Sequence, residues 1–279
     1  MKKFIAAFDG LRFSESVMDY AILLAKQSSA HLVGVFLDDY LRHSYKIYDL
    51  VTKESTPEVK QKKLEEKDEA TRAAAVSRFE NACRQAGMNY SVHHDRDTAI
   101  HELLHESIYA DLLIVNSSET LTAYTEKIPS EFIRDLLSHV QCPVLIVPQK
   151  FKPIEKLILL YDGEPTSVYA IKMFSYMLPS LKQIPTEVIS VKGGNQTRVV
   201  PDKKLMKEFM NRRFPHATYS VFKGLPEIAI VNYLKKQKEN SLVILGAYRR
   251  STVSRWFRAS MADVLMRDLK LPLFIAHNK

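Results

Sequence analysis

His101-Glu102-Leu103-Leu104-His105 has the spacing of a zinc-peptidase string. On a helix, residues four apart share a face, so two imidazoles would converge on one cation and the glutamate between them would act as general base. A hydrolase of this kind also needs a third ligand and a cleft. His93-His94 beside Asp95 are further candidates, although they also suit a strand end facing solvent. The string is short enough to arise by chance, and the second half of the chain replaces it with Ile230-Val231-Asn232-Tyr233-Leu234. Zinc-dependent hydrolysis is therefore a remote alternative, and no metal ligand is assigned. Cys83 falls in a helical run and reads as packing. Cys142 precedes Pro143 in a turn without an obvious basic partner. There is no Gly-x-Ser-x-Gly elbow and no Gly-Lys-Ser phosphate loop. Without a nucleophile beside a base, the residues point to a binding protein rather than an enzyme, weak ATP hydrolysis aside.

Residues suited to ligands lie at two pairs of turns. Asp9-Gly10 and Asp162-Gly163 each close an apolar run. A carboxylate there can accept hydrogen bonds from an adenine amino group or a ribose hydroxyl, or it can cap the next helix with no ligand at all. Later in each half come Asn116-Ser117-Ser118-Glu119, running to Pro129-Ser130, and Gly246-Ala247-Tyr248-Arg249-Arg250, running to Ala259-Ser260. Arg249, Arg250, Arg255 and Arg258 fall within ten residues. Such a cluster can clamp a phosphate or another anion through side chains, or pair with an acidic surface.

These turns are positioned by a duplicated chain. Phe4-Ile5-Ala6-Ala7-Phe8-Asp9-Gly10 recurs as Leu157-Ile158-Leu159-Leu160-Tyr161-Asp162-Gly163, and Ser14 recurs as Ser167, at an offset of 153. Tyr90-Ser91-Val92 recurs as Tyr219-Ser220-Val221, and Cys142-Pro143-Val144-Leu145-Ile146-Val147 as Leu271-Pro272-Leu273-Phe274-Ile275-Ala276, both at 129. Asp111 to Val115 matches Ser241 to Leu245, at 130. The fall in offset places an insertion of about 24 residues in the first half, within 38–87. His31 to Leu37 pairs with Thr186 to Lys192 as a fifth run.

Short apolar runs bounded by turn residues predict strands buried on both faces, as in a parallel sheet. Helical patterns lie between them: Ser14 to Gln27 and Ser167 to Met177, Ala99 to Tyr109 and Ile228 to Lys236, Ser130 to Val140 and Ser260 to Leu269. Residues 58–86 predict one long charged helix with a solvated face. The alternation predicts an α/β fold of two Rossmann-like, doubly wound domains, 1–149 and 150–279, each a five-stranded parallel sheet flanked by helices. The last strand of each half is apolar and predicted to be an edge, so the two edges would meet across a pseudo-twofold axis within the chain.

Composition bounds the rest. At 279 residues with 46% apolar and 26% charged, the chain has material for two cores, which excludes wholesale disorder. Two cysteines exclude a disulfide scaffold or an iron–sulfur site. No apolar run approaches the roughly 20 residues a bilayer span needs. The five apolar residues before Asp9 are too few for a signal peptide, so the expected address is the cytoplasm. Residues 1–150 carry 18 Lys+Arg against 22 Asp+Glu, a net of −4; residues 151–279 carry 22 against 10, a net of +12. An anion or nucleic-acid surface would sit in the second half, unless the two halves complement each other, within the chain or between chains.

The strand-Asp-Gly-x-x-x-Ser start, the loop after the fourth strand and the Pro-bounded last strand together resemble the universal stress proteins, in a tandem arrangement covering nearly the whole chain. In the nucleotide-binding branch of that family the fourth-strand loop reads Gly-x2-Gly-x9-Gly-Ser/Thr, whose glycines admit the phosphates and whose helix start holds them. In the second half Gly246 and Ser260 keep the pattern, while Arg249 and Ala259 replace the other two glycines. In the first half Asn116, Glu119 and Pro129 replace all three and Ser130 alone remains. The resemblance implies that Asp162 meets an adenine base and that the backbone at Val191 lines its pocket. It implies a non-enzymatic stress-response protein that acts through a protein partner or a small anionic ligand, with Asp162, Val191, Gly246, Arg249, Arg250 and Ser260 as the candidate site. ATP or another adenine nucleotide in the second half alone is the alternative, and homodimerisation of whole chains a further option. A nucleic-acid role on the basic half, with Tyr248 and Trp256 for stacking, is a third reading, to which the fold lends no precedent.

Overall fold

The computed structural model describes residues 1–37, 57–95, 99–122, 126–193, 199–246 and 261–276. Contacts divide the chain into two compact units, Met1–Gln141 and Cys142–Lys279. Both are α/β, with mostly parallel strands and crossover helices, as the alternation predicts.

The first unit runs β1 (Lys3–Asp9), α1 (Glu15–Ser28), β2 (His31–Leu37), α2 (Pro57–Gln85), β3 (Tyr90–Asp95), α3 (Ala99–Ile108), β4 (Leu112–Asn116) and α4 (Glu131–His139). β1 lies parallel to β2, with Lys3 opposite His31 and Asp9 opposite Leu37, and parallel to β4, with Phe4 opposite Leu112. β3 lies outside β2. The winding therefore reverses between β1 and β4, and their carboxyl ends, Asp9 and Asn116, flank the crevice where this architecture holds ligands.

Local sequence explains these elements. Ser14 caps α1 by accepting the Val17 N–H at 3.3 Å, and Ser29 ends it in the left-handed region. Between the caps, Val17, Tyr20, Ala21, Leu24 and Ala25 form the buried face that the spacing predicts. α2 is 29 residues long, and its charged N-terminal half is mostly solvated. Its C-terminal half turns Ala75, Phe79 and Cys83 inward at intervals of four. Phe79 lies so near Gly34 of β2 that a Cβ there would sit 2.6 Å from the ring. Glycine makes room for an aromatic cluster in which Phe8, Phe36 and Phe79 have centroids 5.2–6.1 Å apart.

The second unit runs β5 (Val144–Val147), β6 (Lys156–Leu160), α5 (Pro165–Met177), a 3-10 turn (Pro179–Gln183), β7 (Thr186–Lys192), α6 (Lys203–Asn211), β8 (Thr218–Lys223), α7 (Pro226–Leu234), β9 (Ser241–Gly246), α8 (Met261–Asp268) and β10 (Leu273–Ala276). Five strands are parallel in the order β10-β9-β6-β7-β8, so the winding reverses between β6 and β9. β5, the closing strand of the first repeat, lies antiparallel on β10, with Phe274 opposite Leu145, its own counterpart in the repeat. α6 has nine residues where α2 has 29, so much of the predicted insertion is a lengthened crossover helix.

Candidate functional site

The crevice of the second unit is built from three strand ends. β6 runs into Asp162, β7 ends beyond Val191 and β9 ends at Gly246, with β6 between the other two. The structure thus brings three of the six sequence-predicted site residues to the carboxyl edge of adjacent strands. The other three, Arg249, Arg250 and Ser260, lie outside the described residues.

Asp162 is exposed, and its Oδ1 accepts the Glu164 N–H at 2.9 Å. This local turn aims the chain into α5, whose first residue is Pro165. Gly163 has φ +96, and a Cβ on it would lie 2.9 Å from Pro201, which closes over the turn from the segment before α6. Burial, then the carboxylates of Asp202 and Asp162, pushes the neighbouring Tyr161 phenol above its ordinary pKa. Val191 is half-buried, in register with Phe222 of β8. A Cβ on Gly246 would meet Thr166 C at 2.6 Å and Ser167 N at 2.8 Å. The first glycine of the loop therefore has a packing reason of its own: it lets β9 end against the first turn of α5.

The first unit fills the same place with its own side chains. Asn116 is buried; its Nδ2 donates to Ser14 Oγ at 3.0 Å and its Oδ1 accepts the Ser118 N–H at 2.9 Å. Glu119 is buried too, and its Oε1 accepts the N–H groups of Thr120 at 3.0 Å and Leu121 at 3.2 Å. At the start of α4, Glu126 Oε2 accepts the Glu131 N–H at 2.9 Å, and Ser130 Oγ accepts that of Ile133 at 3.2 Å while donating to the Glu119 carbonyl. Backbone donors at a helix start are the natural seat of an anion. Here a carboxylate and a hydroxyl of the same chain take them. The sequence singled out Glu119 and Ser130 but missed Glu126, whose signal was an acidic residue five positions before a helix that opens on Ser130. Asp9, unlike Asp162, is buried, and it accepts the Leu11 N–H at 2.9 Å.

The remaining chemical candidates separate. His101 and His105 are both exposed on α3, and the His105 ring packs against Tyr109. His93 Nδ1 lies 2.5 Å from Glu106 Oε1, and His94 stacks on Phe36. Among the described residues no group of three or more His, Cys, Asp or Glu could hold a metal ion. Cys83 is buried, and its thiol is pushed up to about 12 by desolvation and then by Glu80, so it is no nucleophile. Among the described residues no helix is long and apolar enough to cross a membrane.

A second polar cluster, missed in the sequence, lies in the second unit. Glu187 of β7 is buried; its Oε2 lies 2.8 Å from Lys156 Nζ and accepts the Tyr233 hydroxyl at 2.5 Å, and its Oε1 accepts the Ser220 hydroxyl at 2.5 Å. Burial raises its pKa, but the bonds from Lys156, Ser220 and Tyr233 outweigh that and hold the carboxyl below its ordinary value.

Comparison with known proteins follows the same outline. Comparison with curated proteins finds no match. Over 99% of its length the chain resembles a universal stress protein from Archaeoglobus fulgidus, at 13% identity, covering 98% of that chain with a TM-score of 0.69. It resembles a functionally unknown protein from Pseudomonas aeruginosa at 14% identity, over 99% of this chain and 92% of that one, with a TM-score of 0.63. At these identities the likeness is one of fold. The model of the universal stress protein family matches residues 1–148, more than half of the chain. Doubly wound units repeated in tandem, the Asp-Gly turns at their switch points and this match together place the chain in the universal stress protein family.

Proposed function

We propose that the chain is a non-enzymatic universal stress protein of the general stress response, cytoplasmic, in which the second unit alone takes a small anionic ligand. The observation that carries this reading is the contrast between the two switch points. In the first unit, Glu119, Glu126 and Ser130 occupy backbone N–H groups that a phosphate would need. An incoming anion would have to displace carboxylates already hydrogen-bonded there. In the second unit Asp162 is exposed beside the half-buried Val191, and β9 ends on Gly246. Arg249 and Arg250 follow in the sequence, with Ser260 beyond them. Guanidinium groups hold phosphate-type anions by forked, charge-assisted hydrogen bonds, so Arg249, Arg250 and Ser260 are assigned to the anion.

An adenine nucleotide is the second reading. It is favoured by the free edge of Asp162, a carboxylate able to accept an exocyclic amino group, next to the apolar Val191.

Titration of the full chain with labelled ATP, and separately with inorganic phosphate, tests both. One site per chain is expected, and replacing Arg249 and Arg250 together by Ala should weaken it by at least about tenfold. Competition between ATP and phosphate with equal affinity supports the simple anion, and a clear preference for ATP supports the nucleotide. Two sites per chain, or binding untouched by loss of both arginines, overturns the assignment. A gain of ATP affinity in Arg249→Gly would show the arginine blocking the site rather than clamping its ligand.

A further inference from the structure

Strand β8 ends the strand order of the second unit. The Gly224 N–H donates to the Lys192 carbonyl at 3.0 Å, which fixes the phase of this parallel ladder. Ser220 and Phe222 turn their backbone groups toward β7, and Tyr219, Val221 and Lys223 turn theirs to the outer edge. Among the described residues no strand pairs with that edge. The strand is also poorly covered: Thr218, Tyr219 and Lys223 are exposed and the residues between them half-buried.

A groove of about 490 Å³ runs between this edge and α7. Phe222, Tyr233 and Ala229 give it an apolar floor, and Asn232, Lys223 and Lys236 give it polar and cationic walls. The floor is fixed from beneath. Tyr233 packs tilted against Phe222, with centroids 5.0 Å apart, and its hydroxyl is tied to Glu187. Outside the groove Tyr219, Leu225 and Ile228 are also exposed, at 40%, 62% and 57%. An unpaired sheet edge is a ready template for another extended backbone.

The first unit treats the equivalent place differently. There Glu106 of α3 bridges to His93 of β3 and to Lys3 of β1, each at 2.5 Å, and ties helix to strand. In the repeat His93 corresponds to Phe222 and Glu106 to Lys235, a pair without a carboxylate to make that tie. The second unit moves the carboxylate to Glu187, on the strand beneath, which leaves the space between β8 and α7 open.

We infer that this groove docks an extended, acidic peptide segment of a partner protein by strand addition to β8. Three features of the groove match three features of such a ligand. The outward backbone groups of residues 219, 221 and 223 recur every second residue, which suits another extended backbone. Alternate side chains of the added strand would fall on the apolar floor. Lys223 and Lys236, in a half of the chain with a net charge of +12, favour carboxylates on the incoming strand. This site is separate from the anion site proposed above, and neither reading depends on the other.

The test uses the full chain and a fluorescein-labelled octapeptide that alternates Val with Glu. Two controls accompany it: the same peptide with Lys for Glu, and the Val/Glu peptide with its fourth and fifth residues replaced by Pro. The Val/Glu peptide should bind at least about tenfold tighter than either control, because one loses the charge match and the other a backbone donor. The double variant Lys223→Glu, Lys236→Glu changes exposed charges only and should lose that binding by at least about tenfold with its thermal midpoint unchanged. Val221→Pro removes an outward N–H and should lose it as well; edge strands tolerate proline at such a position. Equal binding of the Glu and Lys peptides, full binding by the double lysine variant, or complete displacement of the peptide by inorganic phosphate would each overturn the inference. So would a chain that ignores the peptide and instead self-associates through the β8 edge.

Discussion

Lys156 Nζ lies 2.8 Å from Glu187 Oε2, whereas Lys3, its counterpart in the repeat, takes its carboxylate from Glu106 of α3. The two units keep the lysine at the start of their first strand but draw its partner from different elements. In the first unit the strand neighbour of Lys3 on that face is His31, which bonds the Ser91 hydroxyl at 2.8 Å, and the helix supplies the charge. A half-buried cation at the head of a strand gains from a counter-charge, and the fold allows that charge to arrive from a neighbouring strand or from a crossover helix.

Glu187→Gln should destabilise the chain by about 2 kcal/mol, measured as a shift of the urea midpoint at constant m-value. The Glu187 side chain is 7% exposed and Lys156 20%, so the lysine can regain part of its hydration when the carboxylate is lost, which keeps the cost below that of a fully buried pair. A change under about 0.5 kcal/mol would mean that the cluster contributes only packing.

The same cluster gives stability a pH dependence with a definite sign. Glu187 titrates below its ordinary value in the folded chain, so its contribution is present above the unfolded carboxyl range, roughly pH 4.3, and is lost as pH falls through the folded value. Lys156 and Tyr233 are raised. Burial alone would lower Lys156, but Glu187 holds its proton; burial itself pushes Tyr233 up, and Glu187 adds to it. Their contributions are complete below their unfolded values and fade as pH rises through the folded ones. The difference in melting temperature between the parent chain and Glu187→Gln should therefore be flat near neutrality and shrink below about pH 4. A difference that persists unchanged to pH 2 would contradict this account.

Gly246→Ala should cost about 2 kcal/mol whether or not ligand is present, because the new Cβ would press on the Thr166 backbone rather than on a yielding side chain. Thermal unfolding of the ligand-free variant measures this. A variant of parental stability that has lost only ligand binding would instead assign the glycine to ligand approach.

Both cysteines are buried. A thiol reagent at pH 8 should leave Cys83 unmodified in the folded chain and modify it readily in denaturant, since its folded pKa of about 12 leaves almost no thiolate. Mass spectrometry of the labelled protein reads the result. Rapid labelling of Cys83 under native conditions would show that α2 opens away from the sheet.

Much of this molecule is written in local pattern. The apolar runs that became β1, β2, β4, β6, β7 and β9, the face of α1 formed by Val17, Tyr20, Ala21, Leu24 and Ala25, and the Asp-Gly turns at both switch points follow from spacing along the chain. Burial on both faces of a parallel strand, or on one stripe of a helix, leaves a period in the sequence, and the duplication let each half check the other. The charge asymmetry of −4 against +12 was equally plain, as were Asn116, Glu119 and Pro129 where the family resemblance implies glycines.

Only the tertiary structure decided which groups meet across that pattern. Glu126 on the first N–H of α4, Asn116 on Ser14, Pro201 over Gly163, and Glu187 among Lys156, Ser220 and Tyr233 join positions whose nearness depends on strand order and on the path of each crossover. Periodicity tells a residue which face to bury, because that preference acts within a few residues. It is silent on the partner, because hydrogen bonds and ion pairs are set by distances of about 3 Å that the chain reaches only after its sheet has assembled.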